Sequence, residues 1–251
     1  VPETTSAREA PAAPLARELP PEIFETSRVE VPAGAWGQRE ARVLLRFVLD
    51  ADGDGQPELI RWQDPASGQR VRQQEDRNYD GIQDAWSDYS GGRIVARVLD
   101  SNDDGNPDVW ERYHEGRMSS REIDRDDDGV RDAFYRYQGD SLVEERHDAD
   151  NDGRIDLAIA YEQRRRVRAE EDSDRDGRMD TWTHYLASEG AIEGAEHVTR
   201  IERDRAGRGF ADTFESFELR GGRAVLLRRE EDSNGDGAID LFYTGSMSLS
   251  T

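Results

Sequence analysis

Eight short stretches of the chain carry side-chain oxygens at alternate positions around a glycine. They read DADGDGQPE (50–58), DRNYDGIQD (76–84), DSNDDGNPD (100–108), DRDDDGVRD (124–132), DADNDGRID (148–156), DSDRDGRMD (172–180), DRAGRGFAD (204–212) and DSNGDGAID (232–240). Seven of the eight fit Asp-x-[Asp/Asn]-x-Asp-Gly-x-x-[Asp/Glu]. Like charges at this density repel unless something holds them together. A hard cation such as Ca²⁺ does so, taking about six to eight oxygens at roughly 2.3–2.6 Å. Side chains at loop positions 1, 3 and 5 converge when the backbone curls, and glycine at position 6 permits the sharp turn. Position 7 offers its carbonyl and the acid at position 9 closes the shell. Mg²⁺ fits less well, because it keeps more water and prefers strict octahedral geometry.

The spacing predicts about seven Ca²⁺ sites. The first two use Asp50, Asp52, Asp54 and Glu58, then Asp76, Asn78, Asp80 and Asp84. The third and fourth use Asp100, Asn102, Asp104 and Asp108, then Asp124, Asp126, Asp128 and Asp132. The fifth and sixth use Asp148, Asp150, Asp152 and Asp156, then Asp172, Asp174, Asp176 and Asp180. The last uses Asp232, Asn234, Asp236 and Asp240. Backbone carbonyls come from Gln56, Ile82, Asn106, Val130, Arg154, Arg178 and Ala238. An Asp-Gly pair alone marks a hairpin turn, but does not require acids at positions 1, 3 and 9 as well. The seventh stretch keeps Asp204 and Asp212 but has Ala206 and Arg208 at positions 3 and 5, and is expected to hold no metal. Two readings of it stand open: an Arg208 guanidinium near the two remaining carboxylates in place of an ion, or an ordinary exposed turn.

The elements that position these loops repeat with them. The loop glycines, Gly55, Gly81, Gly105, Gly129, Gly153, Gly177, Gly209 and Gly237, are spaced 26, 24, 24, 24, 24, 32 and 28 residues apart. Between loops come two strand-like halves and a short turn, as in VWERYHEGRMSSREI. Aromatics recur at loop position 11 (Trp86, Trp110, Phe134, Trp182, Phe214, Phe242) and position 14 (Tyr89, Tyr113, Tyr137, Tyr161, Tyr185, Phe217). They favour strands and pair across them. The odd difference puts the two sets on opposite faces of a regular strand, unless a bulge re-aims one of them. Short connections dictate antiparallel neighbours. The expected fold is all-β: an elongated antiparallel β-meander of about eight 24-residue hairpin repeats, with the Ca²⁺ loops along one edge. A closed β-propeller is the alternative.

The loops are not EF-hands, which need Glu at position 12 and flanking helices. Position 12 is Arg61, Ser87, Glu111, Tyr135, Ile159, Thr183 and Tyr243. The nine-residue form running into a strand, as in DADNDGRIDLAIA and DSNGDGAIDLF, resembles the calcium loops of integrin-type FG-GAP and VCBS propeller repeats. The W-x-x-Y-x-x-G-R hairpins resemble MORN-type repeats, which implies one hairpin per repeat in a twisted sheet.

Composition agrees with a thin sheet. Hydrophobic residues make up 34% of the 251, against roughly 45–50% in ordinary domains. Aromatic ladders and metal must then supply stability. The formal net charge is −22 with no lysine, which argues against a nucleic-acid partner. Seven Ca²⁺ would add +14 and leave about −8. There is no cysteine, hence no disulfide or thiol chemistry. No apolar run reaches the ~18 residues of a membrane span. The sequence opens on Val1, which suggests a removed export signal or a trimmed N-terminus. Weak calcium sites suit a periplasmic, surface or extracellular location, which is the expectation.

Residues 1–21 read as a Pro/Ala/Glu-rich tether, 22–40 as a cap or edge strand, and 41–251 as the repeat domain. The insertion LASEGAIEGAEH (186–197) lengthens the sixth hairpin and is the best candidate for a partner contact. The histidines His114, His147, His184 and His197 are scattered, and no catalytic constellation stands out. The expectation is a non-enzymatic scaffold, adhesin-like or accessory module with a protein partner. The alternative is a carbohydrate-binding protein using exposed rings such as Trp110 and Trp182.

Overall fold

The computed structural model describes residues 23–187 and 196–248, which divide into two compact units at Arg131/Asp132. The expected tether (1–21) and the centre of the 186–197 insertion lie outside the described residues. The first unit holds β1 (Glu25–Val31), β2 (Arg42–Leu49), β3 (Leu59–Gln63), β4 (Arg70–Glu75), β5 (Ala85–Ser90), β6 (Arg93–Leu99), β7 (Val109–His114) and β8 (Arg117–Ile123). The second holds β9 (Ala133–Gln138), β10 (Ser141–His147), β11 (Leu157–Glu162), β12 (Arg165–Glu171), β13 (Thr181–Ala187), β14 (Glu196–Arg203), β15 (Thr213–Arg220), β16 (Arg223–Glu231) and β17 (Leu241–Ser248).

Within each unit, each strand pairs antiparallel with its neighbours in sequence. In neither unit does the last strand return to the first, so the meander is open and the closed propeller is excluded. No α-helix occurs among the described residues. Residues 22–40 contain β1, which among the described residues pairs with β2 alone, and a 3₁₀ turn at Ala35–Gly37. Trp36 in that turn meets Trp62 edge-on at 5.0 Å, beside a small core of Val31, Leu44, Ile60 and Trp62.

Every hairpin between two loops repeats one irregularity. The register shifts at the position-14 residue, as between Asp88/Tyr89, Arg112/Tyr113, Ala160/Tyr161, His184/Tyr185 and Ser216/Phe217. The extra residue lies on the return strand, for example Val95, Ser119, Val167 and Thr199. The Ser119 and Thr199 hydroxyls donate to the carbonyls of Arg112 and His184 at 3.1 and 3.2 Å. The strand carrying both aromatics stays regular, so the odd spacing is kept and the two sets face opposite ways. In β7, Val109, Glu111 and Tyr113 are buried, whereas Arg112 and His114 are exposed and Trp110 is half-buried. Arginines lie over the position-11 rings: Arg131 over Trp110 at 4.3 Å, Arg146 over Phe134 at 5.5 Å and Arg200 over Phe214 at 5.4 Å. Both faces are therefore partly covered, one by packing and one by cation–π contact.

The buried face is largely polar. Arg61, Gln73, Ser87, Arg97, Glu111 and Arg121 stand directly opposite one another in turn across β3 to β8. Arg61 Nε donates to Gln73 at 3.3 Å and the Tyr113 hydroxyl donates to Glu111 at 2.6 Å. Pairing offsets part of the desolvation penalty, with Arg97 and Arg121 set 3.9 Å from Glu75 and Glu111. This is how a chain so poor in apolar residues makes a sheet with an inside.

Candidate metal centres

All eight loops share one backbone path. The position-6 glycines have φ between 86° and 92°. Position 4 is also left-handed in every loop: Gly53, Tyr79, Asp103, Asp127, Asn151, Arg175, Gly207 and Gly235 have φ of 60–81°. Six of these eight are Gly, Asp or Asn, the residues that tolerate this region best. That recurrence was a readable signal of a second special position, which the ligand pattern alone passes over.

Hydrogen bonds explain why acids are needed even before a metal is considered. The position-1 carboxylate accepts the N–H of the position-6 glycine: Gly81 to Asp76 at 2.8 Å, Gly153 to Asp148 at 2.8 Å and Gly177 to Asp172 at 2.7 Å. The position-5 carboxylate accepts from position 7, as Arg154 to Asp152 at 2.8 Å. The position-9 carboxylate accepts from position 2, as Arg77 to Asp84 at 2.6 Å and Ser173 to Asp180 at 2.9 Å. Ser101, Ser173 and Ser233 add a hydroxyl donor to the same carboxylate.

Consecutive loops are joined through the backbone. The position-1 N–H donates to the position-9 carbonyl of the preceding loop: Asp76 to Glu58 at 3.0 Å, Asp100 to Asp84 at 2.8 Å and Asp172 to Asp156 at 2.8 Å. Positions 1 and 9 are mostly buried by this contact, while positions 3 and 5 are exposed. Side chains also reach forward. Gln56 lies over Gly81 and Arg154 over Gly177, and a Cβ on either glycine would collide with them.

Oxygen atoms gather within 4.8 Å of one another in the first, second, fifth and sixth loops. The sets are Asp50, Asp52, Asp54 and Glu58; Asp76, Asp80 and Asp84; Asp148, Asp150 and Asp156; and Asp172, Asp174 and Asp180. The fourth loop carries the boundary between the units, with Asp124 and Asp126 in the first and Asp132 in the second. The acids of the third and eighth loops do not gather this closely. In the eighth, the Asn234 amide donates to Asp240 at 3.2 Å. In the seventh, Asp204 and Asp212 are spent on backbone N–H groups: Arg208 to Asp204 at 2.9 Å, and Ala206 to Asp212 at 2.9 Å. The Arg208 guanidinium lies against Gly235 in the eighth loop rather than over Asp204 and Asp212.

The acids titrate accordingly. Desolvation pushes Asp174 up from the ordinary 3.8; the Asp176 N–H opposes this, and the Asp176, Asp180 and Asp172 charges add to it. Desolvation also pushes Asp232 up, but the N–H groups of Gly237, Gly235 and Asp236, with the Arg208 charge, hold it below 3.8.

Two buried oxygens test the fit to a cation. Asp148 Oδ1 and Asp124 Oδ1 are buried without a hydrogen-bond partner. Stranding such a group costs about 1–3 kcal/mol, more when it is charged, and a cation removes that cost. The donor set is all hard oxygen, which suits Ca²⁺, Mg²⁺ or Mn²⁺ and not a soft metal. Neither a family model nor a curated protein matches this chain. Fold and site together define an acidic, antiparallel β-repeat protein whose carboxylate clusters could hold metal ions.

Proposed function

We propose that this chain is an exported, calcium-stabilised structural module, a scaffold, adhesin-like part or accessory subunit of a bacterial surface or periplasmic assembly. The observation that carries the metal is Asp148 Oδ1, buried and unpartnered beside Asp150 and Asp156. Calcium is favoured because the loops offer many oxygens on a short, flexible curl, and a protein-only cage suits Mg²⁺ poorly. Extracellular calcium near millimolar matches sites with Kd of ~10⁻⁴–10⁻³ M. Each site then contributes about 0.4–1.4 kcal/mol by mass action. Several together stabilise the fold without making a sensor, and sites in that range would fill at extracellular calcium levels, which is what supports an exported setting. The arginines over Trp110, Phe134 and Phe214 occupy ring faces on which a sugar would stack, so the scaffold reading is preferred to carbohydrate binding.

The test is thermal unfolding of the metal-stripped chain across a calcium titration, with magnesium in parallel. Calcium should raise Tm by on the order of 10 °C, and magnesium by much less. An unchanged Tm in chelator would sink the metal reading. Purification from the native source in calcium tests the accessory role, and recovery of free chain alone counts against it.

A further inference from the structure

The backbone bond between consecutive loops is common to the array, but side chains cross at particular joints. From the first loop, Gln56 lies over Gly81 of the second. Gln83 of the second reaches back and donates to the Pro57 carbonyl at 2.8 Å. From the fifth loop, Arg154 lies over Gly177 of the sixth and donates to the Asp176 carbonyl at 3.1 Å. Gln56 and Arg154 hold the same place, position 7 of their loops. Ile82 and Val130 hold it in the second and fourth loops and have no polar group to cross with. At Gly105, Gly129 and Gly153 a Cβ would meet nothing within 4 Å. Arg208 also crosses, to Gly235, but from position 5 of a loop that keeps only Asp204 and Asp212.

The loops joined by a position-7 side chain are the first with the second and the fifth with the sixth, each pair inside one unit. Oxygens gather in all four of these loops. In the third, with open space over Gly105, they do not.

Two effects of opposite sign link such neighbours. An ion in one loop cancels negative charge beside the other and so weakens it. The loops are two strands apart, however, or roughly 10 Å, which exceeds the screening length of about 8 Å at physiological salt. Ordering acts the other way. The position-7 carbonyl is a ligand expected from the spacing, so an ion fixes the backbone from which Gln56 or Arg154 reaches. The next loop is then partly ordered before its own ion arrives. With the charge effect screened, ordering sets the sign.

We infer that the array takes up calcium in pairs, the first site with the second and the fifth with the sixth, each ion raising its partner's affinity through the crossing side chains. This rests on the calcium reading above and adds how its sites are regulated.

The amide resonances of the loop glycines, followed against free calcium on the full chain, read each site by itself. In the wild type, Gly153 and Gly177 should share one midpoint and rise more steeply than single-site binding. Asp174→Ala disables the sixth site. A roughly tenfold coupling between like sites should then raise the Gly153 midpoint by its square root, about threefold. In an Arg154→Ala background the same substitution should move Gly153 by less than about 1.5-fold. Asp80→Ala, in the second loop, should move Gly55 of the first and leave Gly105 of the third in place. Separate single-site curves in the wild type overturn the pairing and leave the calcium reading standing, a result that needs no variant to fold. A shift that survives Arg154→Ala, or one that reaches Gly105, puts the coupling in the backbone joints and overturns the part given to the side chains. Glycine amides that ignore calcium altogether sink the calcium reading itself, and this inference with it.

Discussion

Arg154 Nη1 donates to the carbonyl of Asp176 at 3.1 Å, tying the fifth loop to the sixth. The same side chain lies where a Cβ on Gly177 would go. At Gly153, with the same φ of 87°, a Cβ meets nothing within 4 Å. Gly153→Ala should therefore cost only the left-handed strain, about 1–2 kcal/mol. Gly177→Ala should cost a further 0.5–1.5 kcal/mol or so, from displacing Arg154 and its hydrogen bond. Denaturant unfolding at fixed calcium measures both. In an Arg154→Ala background the two costs should become equal, a double-mutant comparison that isolates the contact.

The loops should differ in metal affinity. Oxygens gather in the first, second, fifth and sixth loops but not in the third or eighth. Calorimetric titration should show the tight sites filling first. Asp156→Ala should remove one of them, whereas Asp108→Ala should leave their number unchanged. Equal loss from both substitutions would mean that the loop geometry does not rank the sites.

One hairpin turn is built against its own residues. Gln163 and Arg164 have φ of 50° and 67°, where Gly91-Gly92 and Gly221-Gly222 serve the corresponding turns. Gln163→Gly should raise stability by about 1 kcal/mol, since glycine enters this region without strain. Chemical denaturation would show the midpoint move up with the slope unchanged.

Alkali should weaken the fold. Burial raises Tyr113 above its ordinary 10.0, and the Glu111 hydrogen bond and charge add to it. Burial raises Tyr161 and Tyr185 as well, with Glu145 adding at Tyr161. In the unfolded chain these phenols ionise first, so the unfolded state gains on the folded one as protons leave. Stability is thus flat below pH ~10 and falls above it. Urea midpoints measured from about pH 9 to 11.5 should show this decline. A flat profile there would contradict the buried tyrosines.

Much of this was readable beforehand because the repeat makes each signal independent of its neighbours. Acid at positions 1, 5 and 9 with glycine at 6 dictated the loop, and short connections dictated antiparallel strands. The meander followed from those two, while a closed propeller of the same strands stayed open until the pairing showed no return of the last strand to the first. What escaped reading lay in relations between repeats. The bulge on the return strand has no fixed residue type: Val95, Ser119 and Thr199 all serve. Position 4 looked unconstrained at Asn151, although its left-handed φ is shared by all eight loops, at 60–81°. Arg208 was considered for its own loop, yet its long side chain finds the nearer opening above Gly235.

The backbone bond from Asp172 N–H to the Asp156 carbonyl is the same bond that Asp100 makes to Asp84. One loop's closing residue is the next loop's foundation, so every joint in the array is interchangeable with its neighbours. Repeats 24 residues long can then be duplicated or excised as whole cassettes. Removing residues 148–171 would set Asp172 after His147 where Asp148 now stands, with the Asp132 carbonyl waiting to receive it. Length in such a chain is a heritable dial: a single unequal recombination adds or subtracts a rung and leaves every other joint intact.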